Sequence, residues 1–513
     1  MFARVSSAAV LGVDGYIVSV EIDLSYNLPT FTTVGLPEGA VRESKERVTS
    51  AIKNSGYAFP QKRITVNLAP ADIRKAGSAY DLPIAVGIMA AEGRFDQHVL
   101  ENCVLVGELA LDGTLRPVKG ILPIACAVKD HGYKRLVVPM DNANEAALVD
   151  GIDVLPVPDL NTAVDYLSGQ VELSSHVHHQ EIALRDSRNS HIDFADVKGQ
   201  AHVKRALEVA ASGGHNVLLI GPPGSGKTML ARRIPGILPG MTIQESLETT
   251  KIHSVAGTLK NKNPLVGERP FRDPHHTISD VALIGGGTHP RPGEVSLSHN
   301  GVLFIDEMPE LNKKSIEAMR QPLEDGFVTI SRARYNVSYP ANFMLVAAMN
   351  PCPCGYFTDP HRECTCSPAQ IQRYLSRVSG PILDRIDIHV DVPAVQYREL
   401  SSPAGNQEST ASIRKRVDTA RTRQKERYSG MEGMYANAQL GPRDISRYCA
   451  LDSDGESILK RAIDSFGFSA RAYHRILKVA RTIADLEGMA GIAARHISEA
   501  VQYRTLDRNL WLS

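Results

Sequence analysis

Alternating hydrophobic and polar positions open the chain in short runs. Because successive side chains of a strand point to opposite faces, such runs predict β-strands. They cover residues 16–24, 30–36 and 64–70, and a further strand is predicted at 134–140. Helical spacing or longer apolar runs predict helices at 40–56, 81–93 and 121–132. With a hairpin turn at Asp112-Gly113, these elements predict an α+β domain over residues 1–170.

The pattern changes after residue 170. Residues 171–192 are polar with little periodicity and predict a solvated linker. Residues 193–395 contain short, continuously apolar strands separated by loops and helices, which is typical of a parallel α/β core. Residues 396–513 are dominated by helical periods and predict a helical lid. The chain is therefore predicted to be an α/β multidomain protein.

Length and charge agree with this division. At 513 residues the chain is too long for one hydrophobic core. Lys plus Arg and Asp plus Glu both number 57, so any nucleic-acid contact has to be a local basic patch. No stretch approaches about 18 consecutive apolar residues, which argues against a membrane span. A signal peptide is an alternative for the N-terminus, but Asp14 and the alternation after it favour a strand and a cytoplasmic protein.

A glycine-rich segment, GPPGSGKT, follows the apolar run 217–220 and precedes a helix-like sequence. Strand, glycine-rich turn and helix N-terminus are the context of a P-loop, in which main-chain N–H groups and the helix dipole bind phosphate. Lys227 is expected to reach the β- and γ-phosphates of ATP, and the Thr228 hydroxyl to ligate Mg²⁺. The predicted nucleotide-binding residues are Gly221, Pro222, Pro223, Gly224, Ser225, Gly226, Lys227 and Thr228. The alternative is a glycine-rich turn that binds nothing.

Two carboxylates follow a second buried strand. The apolar residues 302–305 lead into Asp306 and Glu307, at the strand end where α/β sheets bind ligands. Asp306 is predicted to hold Mg²⁺ together with Thr228, and Glu307 to polarise the water that attacks the γ-phosphate. An ordinary acidic turn is the alternative.

Four of the seven cysteines lie between residues 352 and 366, in the pattern C-x-C-x₉-C-x-C. Two close pairs of thiolates suit a tetrahedral zinc ion, although one intervening residue is fewer than the usual two to four. Such a site has no open position and is structural. The predicted zinc ligands are Cys352, Cys354, Cys364 and Cys366, and free buried thiols are the alternative.

The element order of residues 1–170 resembles the domain shared by Lon proteases and RadA-type proteins, of the ribosomal S5 domain 2-like class. Lon proteases use a Ser–Lys dyad, but here Ala79 stands at the place of the nucleophile and Leu122 at the place of the lysine. Ser78 with Lys75 or Lys119 is an alternative dyad, yet a serine without an aligned base is a poor nucleophile. A binding or assembly role without protease activity is favoured.

Two segments of residues 193–395 are similar to AAA+ ATPases. D-x-x-G-Q at 196–200 resembles the segment that packs on adenine, which implies contacts from Val197, Gly199 and Gln200. The apolar strand 342–349 ends at Asn350, which resembles the sensor residue that orients the attacking water.

Two arginines also resemble AAA+ residues. Arg385 resembles the arginine finger that reaches the nucleotide of a neighbouring subunit, and a surface pair with Asp384 or Asp387 is the alternative. Arg471, at the start of a predicted helix, resembles the second sensor that contacts the γ-phosphate, and an ordinary surface arginine is the alternative.

Two insertions indicate which group of AAA+ proteins the chain resembles. A Gly-, Pro- and His-rich segment, residues 270–301, precedes the acidic strand, and a predicted β-hairpin, residues 324–343, follows it. Such a helix-2 insert with a hairpin before the first sensor is the pattern of the clade of magnesium chelatase motors and MCM helicases. The segments SVAGTLKNKNPLVGERPFRDPHHTISDVALIGGG, LSHNGVLFIDE, LVAAMNPCPCG and SGPILDRIDIHV closely resemble the YifB/ComM group of chelatase-like proteins, and the resemblance covers nearly the whole chain.

The resemblance implies a homohexameric DNA motor, an ATP-dependent helicase that promotes branch migration during natural transformation. Single-stranded, double-stranded or branched DNA is the implied substrate, with a recombinase and other recombination proteins as candidate partners. Arg332, Arg334 and Tyr335 of the hairpin would line a pore, contacting phosphates or stacking on bases. Solvated hairpin charge is the alternative.

The histidine-rich segments are not expected to be catalytic. His275, His276 and His289 lie in the insert and are expected to shape the loop or contact substrate. His176, His178 and His179 are expected to belong to the linker rather than to a metal site.

Two further functions stay open at this stage. One is a motor subunit for metal insertion into a tetrapyrrole, against which the Lon-like domain and the cysteine cluster argue. The other is a protein remodeller that uses residues 1–170 as a binding module.

Overall fold

The computed structural model describes residues 1–177, 192–259, 264–287, 290–332, 335–357, 359, 362–395, 407–431 and 433–506. The chain forms two compact units. The first comprises Met1–Ser187, Ile243–Gly267 and Tyr335–Ser338, and the second comprises Arg188–Thr242, Glu268–Arg334 and Tyr339–Ser513. Within the described ranges, none of the helices has the length and apolarity needed to cross a bilayer.

A mixed sheet forms the centre of the first unit. The strands of this unit are β1 (Phe2–Leu11), β2 (Asp14–Ser25), β3 (Thr30–Val34), β4 (Arg63–Ala69), β5 (Cys103–Leu105), β6 (Glu108–Leu109), β7 (Leu115–Arg116), β8 (Arg135–Pro139) and β9 (Asp153–Val157). Seven of them form one sheet in the order β3-β4-β2-β1-β5-β8-β9, and β6 pairs with β7 in an antiparallel ribbon. The predicted hairpin at Asp112-Gly113 is therefore confirmed.

Helices pack on this sheet. They are α1 (Gly39–Asn54), α2 (Asp81–Ala91), α3 (Ile121–Asp130), α4 (Ala143–Ala146) and α5 (Leu160–Leu167). Every residue of α2 is buried, which fits the apolar run 82–91; the first residue, Asp81, forms an ion pair with Arg47. The sequence pattern did not predict β1, which pairs with β2 from Phe2 opposite Asp23 to Leu11 opposite Asp14.

The second unit is built on a parallel sheet. The remaining strands of the chain are β10 (Val217–Ile220), β11 (Phe271–Arg272), β12 (Gly285–Gly286), β13 (Arg291–Pro292), β14 (Val302–Ile305), β15 (Phe327–Arg332), β16 (Tyr335–Pro340), β17 (Met344–Met349) and β18 (Ile388–Asp391). The sheet has the order β11-β14-β17-β10-β18, and all neighbours run parallel. The strands β15 and β16 pair with each other, which confirms the predicted hairpin.

The helices of the P-loop region and the insert are mostly short. They are α6 (Ala201–Gly213), α7 (Lys227–Ala231), α8 (Ile234–Ile237), α9 (Ile243–Ala256), α10 (Asp280–Ile284), α11 (Glu294–Leu297), α12 (Lys313–Ala318), α13 (Arg320–Asp325), α14 (Pro368–Leu375) and α15 (Gly380–Leu383). The C-terminal helices are α16 (Thr410–Arg427), α17 (Pro442–Tyr448), α18 (Ser453–Phe466), α19 (Ala470–Leu486) and α20 (Ala494–Gln502). Residues of these C-terminal helices share one hydrophobic core with β10, β14, β17 and β18.

The helix α9 belongs to the first unit, although it follows the P-loop in the chain. Leu265, shortly after this helix, is buried with Leu122 and Leu148, and Leu247 of α9 packs against them. The Ser254 hydroxyl donates a hydrogen bond to Glu145. The sequence division had placed these residues inside the continuous segment 193–395, whereas their apolar contacts group them with residues 1–187.

Candidate nucleotide-binding site

The P-loop has the predicted strand–turn–helix form. The strand β10 is fully buried and ends at Ile220, and α7 begins at Lys227. Gly224 and Gly226 adopt φ angles of 75° and 89°, which a side chain disfavours. Gly221 also has no room for a side chain, because an added Cβ would lie 2.1 Å from the Val392 carbonyl oxygen. The glycines therefore set the shape of this loop.

The Lys227 side chain is buried against the loop that precedes it. Its Nζ donates hydrogen bonds to the carbonyls of Gly221 at 2.7 Å and Pro222 at 2.9 Å, and to Asn350 Oδ1 at 3.1 Å. Burial lowers the pKa of Lys227, whereas the negative charges of Asp306 and Glu307 raise it. The ammonium group thus donates to main-chain carbonyl oxygens and an amide oxygen at the predicted phosphate site.

The parallel register brings the predicted Mg²⁺ ligands together. The ends of β14, β17 and β10 meet at one edge of the sheet, since Ile305 pairs with Ala347 and Ile220 pairs with Met349. Asp306 follows β14 directly, and its Oδ2 accepts a hydrogen bond of 2.7 Å from the Thr228 hydroxyl. A hydroxyl and a carboxylate so arranged are hard oxygen ligands of the kind that Mg²⁺ prefers. The residues present therefore fit a magnesium ion.

Glu307 follows Asp306 at this edge of the sheet, and its side chain is half exposed. Its φ of 50° is unusual for a residue other than glycine, and its main-chain N–H donates to Asp306 Oδ1 at 2.9 Å. Its Oε2 lies 3.3 Å from Nδ1 of His276. The sequence predicts only loop structure or substrate contact for His276, because its separation of 31 residues from Glu307 hides this contact with the predicted catalytic carboxylate.

The segment that was predicted to pack on adenine touches the P-loop. Gln200 Nε2 donates to the Ser225 carbonyl at 2.8 Å and to the Pro393 carbonyl at 3.1 Å. Gly199 and Gln200 have positive φ angles of 65° and 54°, and Val197 is buried. The structure therefore brings this segment, the P-loop, Asp306, Glu307 and Asn350 together.

Arg385 and Arg471 lie elsewhere in the second unit. Both line a cavity of about 690 Å³ that none of the residues Gly221–Thr228 lines. Arg385 is buried, donates to the Pro381 carbonyl at 2.7 Å and forms an ion pair with Glu324, while its Nε has no partner among the residues that the structure describes. Arg471 Nη1 lies 3.8 Å from Asp384. The pairing of Arg385 with Asp384 or Asp387 that the sequence left open is not the one observed.

The four predicted zinc ligands converge. Their Sγ atoms all lie within 4.8 Å of one another. Cys352 Sγ lies 3.3 Å from Cys354 Sγ and 3.6 Å from Cys364 Sγ. Two sulfurs on a tetrahedral zinc with bonds of about 2.3 Å are about 3.8 Å apart, so the donor set fits zinc. Burial raises the pKa of the Cys352 thiol to about 12.

The remaining candidates divide between described and undescribed positions. Arg332 ends β15 and Tyr335 begins β16, whereas Arg334, His178, His179 and His289 lie outside the described residues. His176 Nε2 lies 2.8 Å from Asn144 Oδ1, and His275 Nδ1 lies 2.9 Å from the Thr277 hydroxyl.

No Ser–Lys pair forms among the candidates in the first unit. The Ser78 hydroxyl donates a hydrogen bond to Glu108. Lys75 is buried, and its Nζ donates to the carbonyls of Pro70 and, at 2.7 Å, Ile73. The methylene groups of Lys119 approach Gly257. These contacts favour the prediction of a Lon-like domain without a protease dyad.

Comparison with known proteins gives matches over most of the chain. The family model "Magnesium chelatase, subunit ChlI" matches residues 193–400. The models "Subunit ChlI of Mg-chelatase" and "Magnesium chelatase, subunit ChlI C-terminal" match residues 20–142 and 407–504.

Full-length relatives are more similar than the chelatase subunits. Competence protein ComM of Haemophilus influenzae is 45% identical over 509 residues, which cover 99% of this chain and 98% of the relative. YifB of Escherichia coli is 44% identical over 506 residues, covering 99% and 97%. The chloroplastic magnesium-chelatase subunit ChlI-2 of Arabidopsis thaliana is 22% identical over 362 residues, covering 65% and 79%. The chain therefore belongs to the YifB/ComM family of magnesium chelatase-like AAA+ ATPases.

Proposed function

We propose that this protein is a hexameric ATP-driven DNA motor that promotes branch migration during recombination in natural transformation. The observation that carries the proposal is the 45% identity, over 99% of the chain, to a relative named competence protein ComM. Such a motor needs ATPase activity, which the P-loop together with Asp306, Glu307 and Asn350 would supply.

The proposed hydrolysis uses residues that lie side by side. Lys227 turns its Nζ from the loop carbonyls and Asn350 to the β- and γ-phosphate oxygens. Thr228 and Asp306 would hold a magnesium ion, which would supply positive charge to neutralise the phosphates. Glu307 accepts a hydrogen bond from the attacking water and takes up its proton, and Asn350 orients that water.

Assembly into a ring would complete each site. Arg385 and Arg471 line a cavity away from the P-loop of their own chain. We infer that they meet the nucleotide of a neighbouring subunit, where a cationic side chain stabilises the charge of the transition state. Arg385 would then leave Glu324, and Arg471 would leave Asp384, to pair with phosphate oxygens.

The proposed DNA contacts are local, in keeping with a net charge of zero. Arg332, Arg334 and Tyr335 at the β15–β16 hairpin would contact the DNA backbone and bases in the pore of the ring. The four cysteines would hold a structural zinc ion, with no position open for chemistry.

Branch migration on a labelled four-way or three-strand junction tests the proposal. The wild type should move the label when ATP and Mg²⁺ are present, and Glu307→Gln, which still binds ATP, should not. Strong ATPase activity that DNA does not stimulate, without movement of the label, would overturn the DNA-motor proposal.

One alternative keeps support from the comparisons. The match to magnesium chelatase subunits favours a motor for metal insertion into a tetrapyrrole. This chain is 22% identical to the Arabidopsis subunit, whereas it is 45% identical to the competence protein. ATPase stimulation by junction DNA, rather than by a tetrapyrrole-binding partner protein, would decide for the DNA motor.

A further inference from the structure

The cysteine cluster begins two residues after the predicted sensor. The strand β17 ends at Met349 and passes directly into Asn350, whose side chain accepts the hydrogen bond from Lys227. Cys352 is fully buried one residue beyond Pro351. Any displacement of Cys352 is therefore passed to Asn350 through only two peptide links.

The turn that contains the first two cysteines, Cys352–Gly355, also packs on the P-loop. Gly355 adopts a φ of +88°, and its N–H lies 3.0 Å from the Cys352 carbonyl and 3.2 Å from Cys352 Sγ. A Cβ atom on Gly355 would lie 2.4 Å from Cδ of Pro223 and 2.8 Å from its Cγ. Even a methyl group has no room between this turn and the P-loop.

The second cysteine pair leads into a helix that returns to the sensor. The Cys354 N–H donates to Cys366 Sγ at 3.4 Å, and Ser367 caps α14. Tyr374, in the last turn of α14, is buried; burial raises the pKa of its phenol to about 12, and the main chain of Asn350 lowers it. The cluster is thus connected to Asn350 directly through Cys352 and also through the helix α14.

We propose that metal binding by the four cysteines and nucleotide binding by the P-loop are energetically coupled. A metal ion ties the turn Cys352–Gly355 to the segment that carries Cys364 and Cys366, and so holds Pro223 and Asn350 in the nucleotide-binding arrangement. The inference rests on the proposed binding of ATP at the P-loop. Coupling is reciprocal, so bound nucleotide must raise the affinity for the metal by the same factor by which bound metal raises the affinity for nucleotide.

The first test measures this reciprocity on the full wild-type chain loaded with zinc. Zinc affinity is measured by equilibrium competition with a zinc-selective chelator in Mg²⁺ buffer, with and without saturating ADP or a non-hydrolysable ATP analogue. Coupling between two sites typically changes affinity about 5- to 150-fold, and we expect nucleotide to raise the zinc affinity about tenfold. Equal zinc affinities with and without nucleotide would overturn the inference, as would a chain that binds nucleotide but takes up no zinc.

The second test separates the contact from the metal site. Gly355→Ala leaves all four cysteines in place but forces a methyl group against Pro223. Gly430→Ala is the matched control, because Gly430 has a φ of +90° and open space around it, so that it shares only the backbone strain. Zinc content is measured by elemental analysis, and nucleotide affinity with a fluorescent ADP analogue.

The two variants should differ only at the nucleotide site. We expect both to hold one zinc per chain, and Gly355→Ala to bind nucleotide about tenfold more weakly than Gly430→Ala. Equal affinities would overturn the coupling while leaving the proposed function intact. Failure of the wild type itself to bind nucleotide would instead overturn the proposed function.

Discussion

His215 is fully buried in the second unit between two elements that hydrogen-bond its ring. Its Nδ1 lies 3.2 Å from Asp387 Oδ2, and its Nε2 lies 2.8 Å from the Thr482 hydroxyl of α19. Burial lowers the pKa of His215, and the neighbouring Asp387 carboxylate only partly offsets this effect. The imidazole is therefore neutral in the folded protein at neutral pH.

This burial predicts a loss of stability in mild acid. In the unfolded chain His215 binds a proton below a pKa of about 6.5, whereas the folded chain resists that proton. The free energy of unfolding should therefore fall as pH drops below about 6.5, by up to about 1.4 kcal/mol per pH unit until the lowered folded pKa is reached. Urea denaturation of the wild type and His215→Gln between pH 7.5 and 5.5 measures the difference, because glutamine does not titrate. Parallel pH profiles of the two proteins would contradict this prediction.

The contact between His276 and Glu307 predicts a role for the insert in turnover. His276→Ala removes a neighbour of the Glu307 carboxylate without touching the P-loop. Losing this 3.3 Å contact costs up to about 1 kcal/mol, so kcat for ATP should fall up to about fivefold, with nucleotide affinity unchanged. His276→Gln is the matched control, because it keeps a hydrogen-bond donor at the same position; His275→Ala would instead remove a ring that lies 4.1 Å from the ring of His276. Equal kcat values for the two variants would exclude the role.

Residue positions could be predicted where chemistry follows local sequence. The P-loop, Asp306 and Asn350 each stand directly after an apolar strand, and parallel strands bring such positions to one edge. The partners of Glu307 and Arg385 could not be predicted. His276 and Glu324 are 31 and 61 residues away from them, and only the folded paths of the insert and α13 bring them close.

The helix α19 carries a buried ionic cluster. Asp485 is fully buried and accepts hydrogen bonds from Arg427, at 2.8 Å, and from Arg481 and Asn437. Arg481 is itself 2% exposed. The Asp485 carboxylate therefore neutralises the charges of Arg427 and Arg481, which would otherwise be buried without a counter-charge.

Asp485→Ala should consequently be far more damaging than loss of a surface pair. We expect it to reduce the free energy of unfolding by about 3–5 kcal/mol, because buried arginines lose their counter-charge. The control is Arg320→Ala, which breaks the partly exposed 3.0 Å pair with Glu317 and should cost less than about 1 kcal/mol. Chemical denaturation followed by circular dichroism measures both values. Similar losses would refute the argument.

Elements with strong periodicity could be predicted closely. The helices α16, α18, α19 and α20 all lie within residues 396–513, where helical spacing predicted a helical region. The strand β1 was missed because Ser6, Ser7, Ala8 and Ala9 interrupt the alternation with small residues. Its strand structure depends on pairing with β2 and β5, which a local pattern does not reveal.

At the scale of the whole molecule, the proposed ring predicts complementation between inactive chains. Arg385→Ala leaves an intact P-loop, and Glu307→Gln leaves an intact Arg385. Each chain alone should lose about 10³-fold or more in ATP hydrolysis, whereas co-assembly at equal amounts should restore about a quarter of wild-type activity through the interfaces that combine both intact parts. ATPase assays of co-expressed chains measure this. Activity that stays at the level of the single variants would show that Arg385 acts within its own chain or not at all.

The first unit is formed by segments that are not contiguous in the sequence, so recombination within the gene can separate residues that pack together. Residues 243–267 complete its packing but are encoded beyond the P-loop. A single crossover near codon 190 would import residues 1–177 from one ancestor and Leu247 and Leu265 from another. Full burial of a leucine such as Leu265 contributes about 1.5–3 kcal/mol only when its partners match, so mismatched halves would lose stability. We therefore expect chimeras that keep residues 1–177 and 243–267 from the same parent to be more stable than chimeras divided near residue 190.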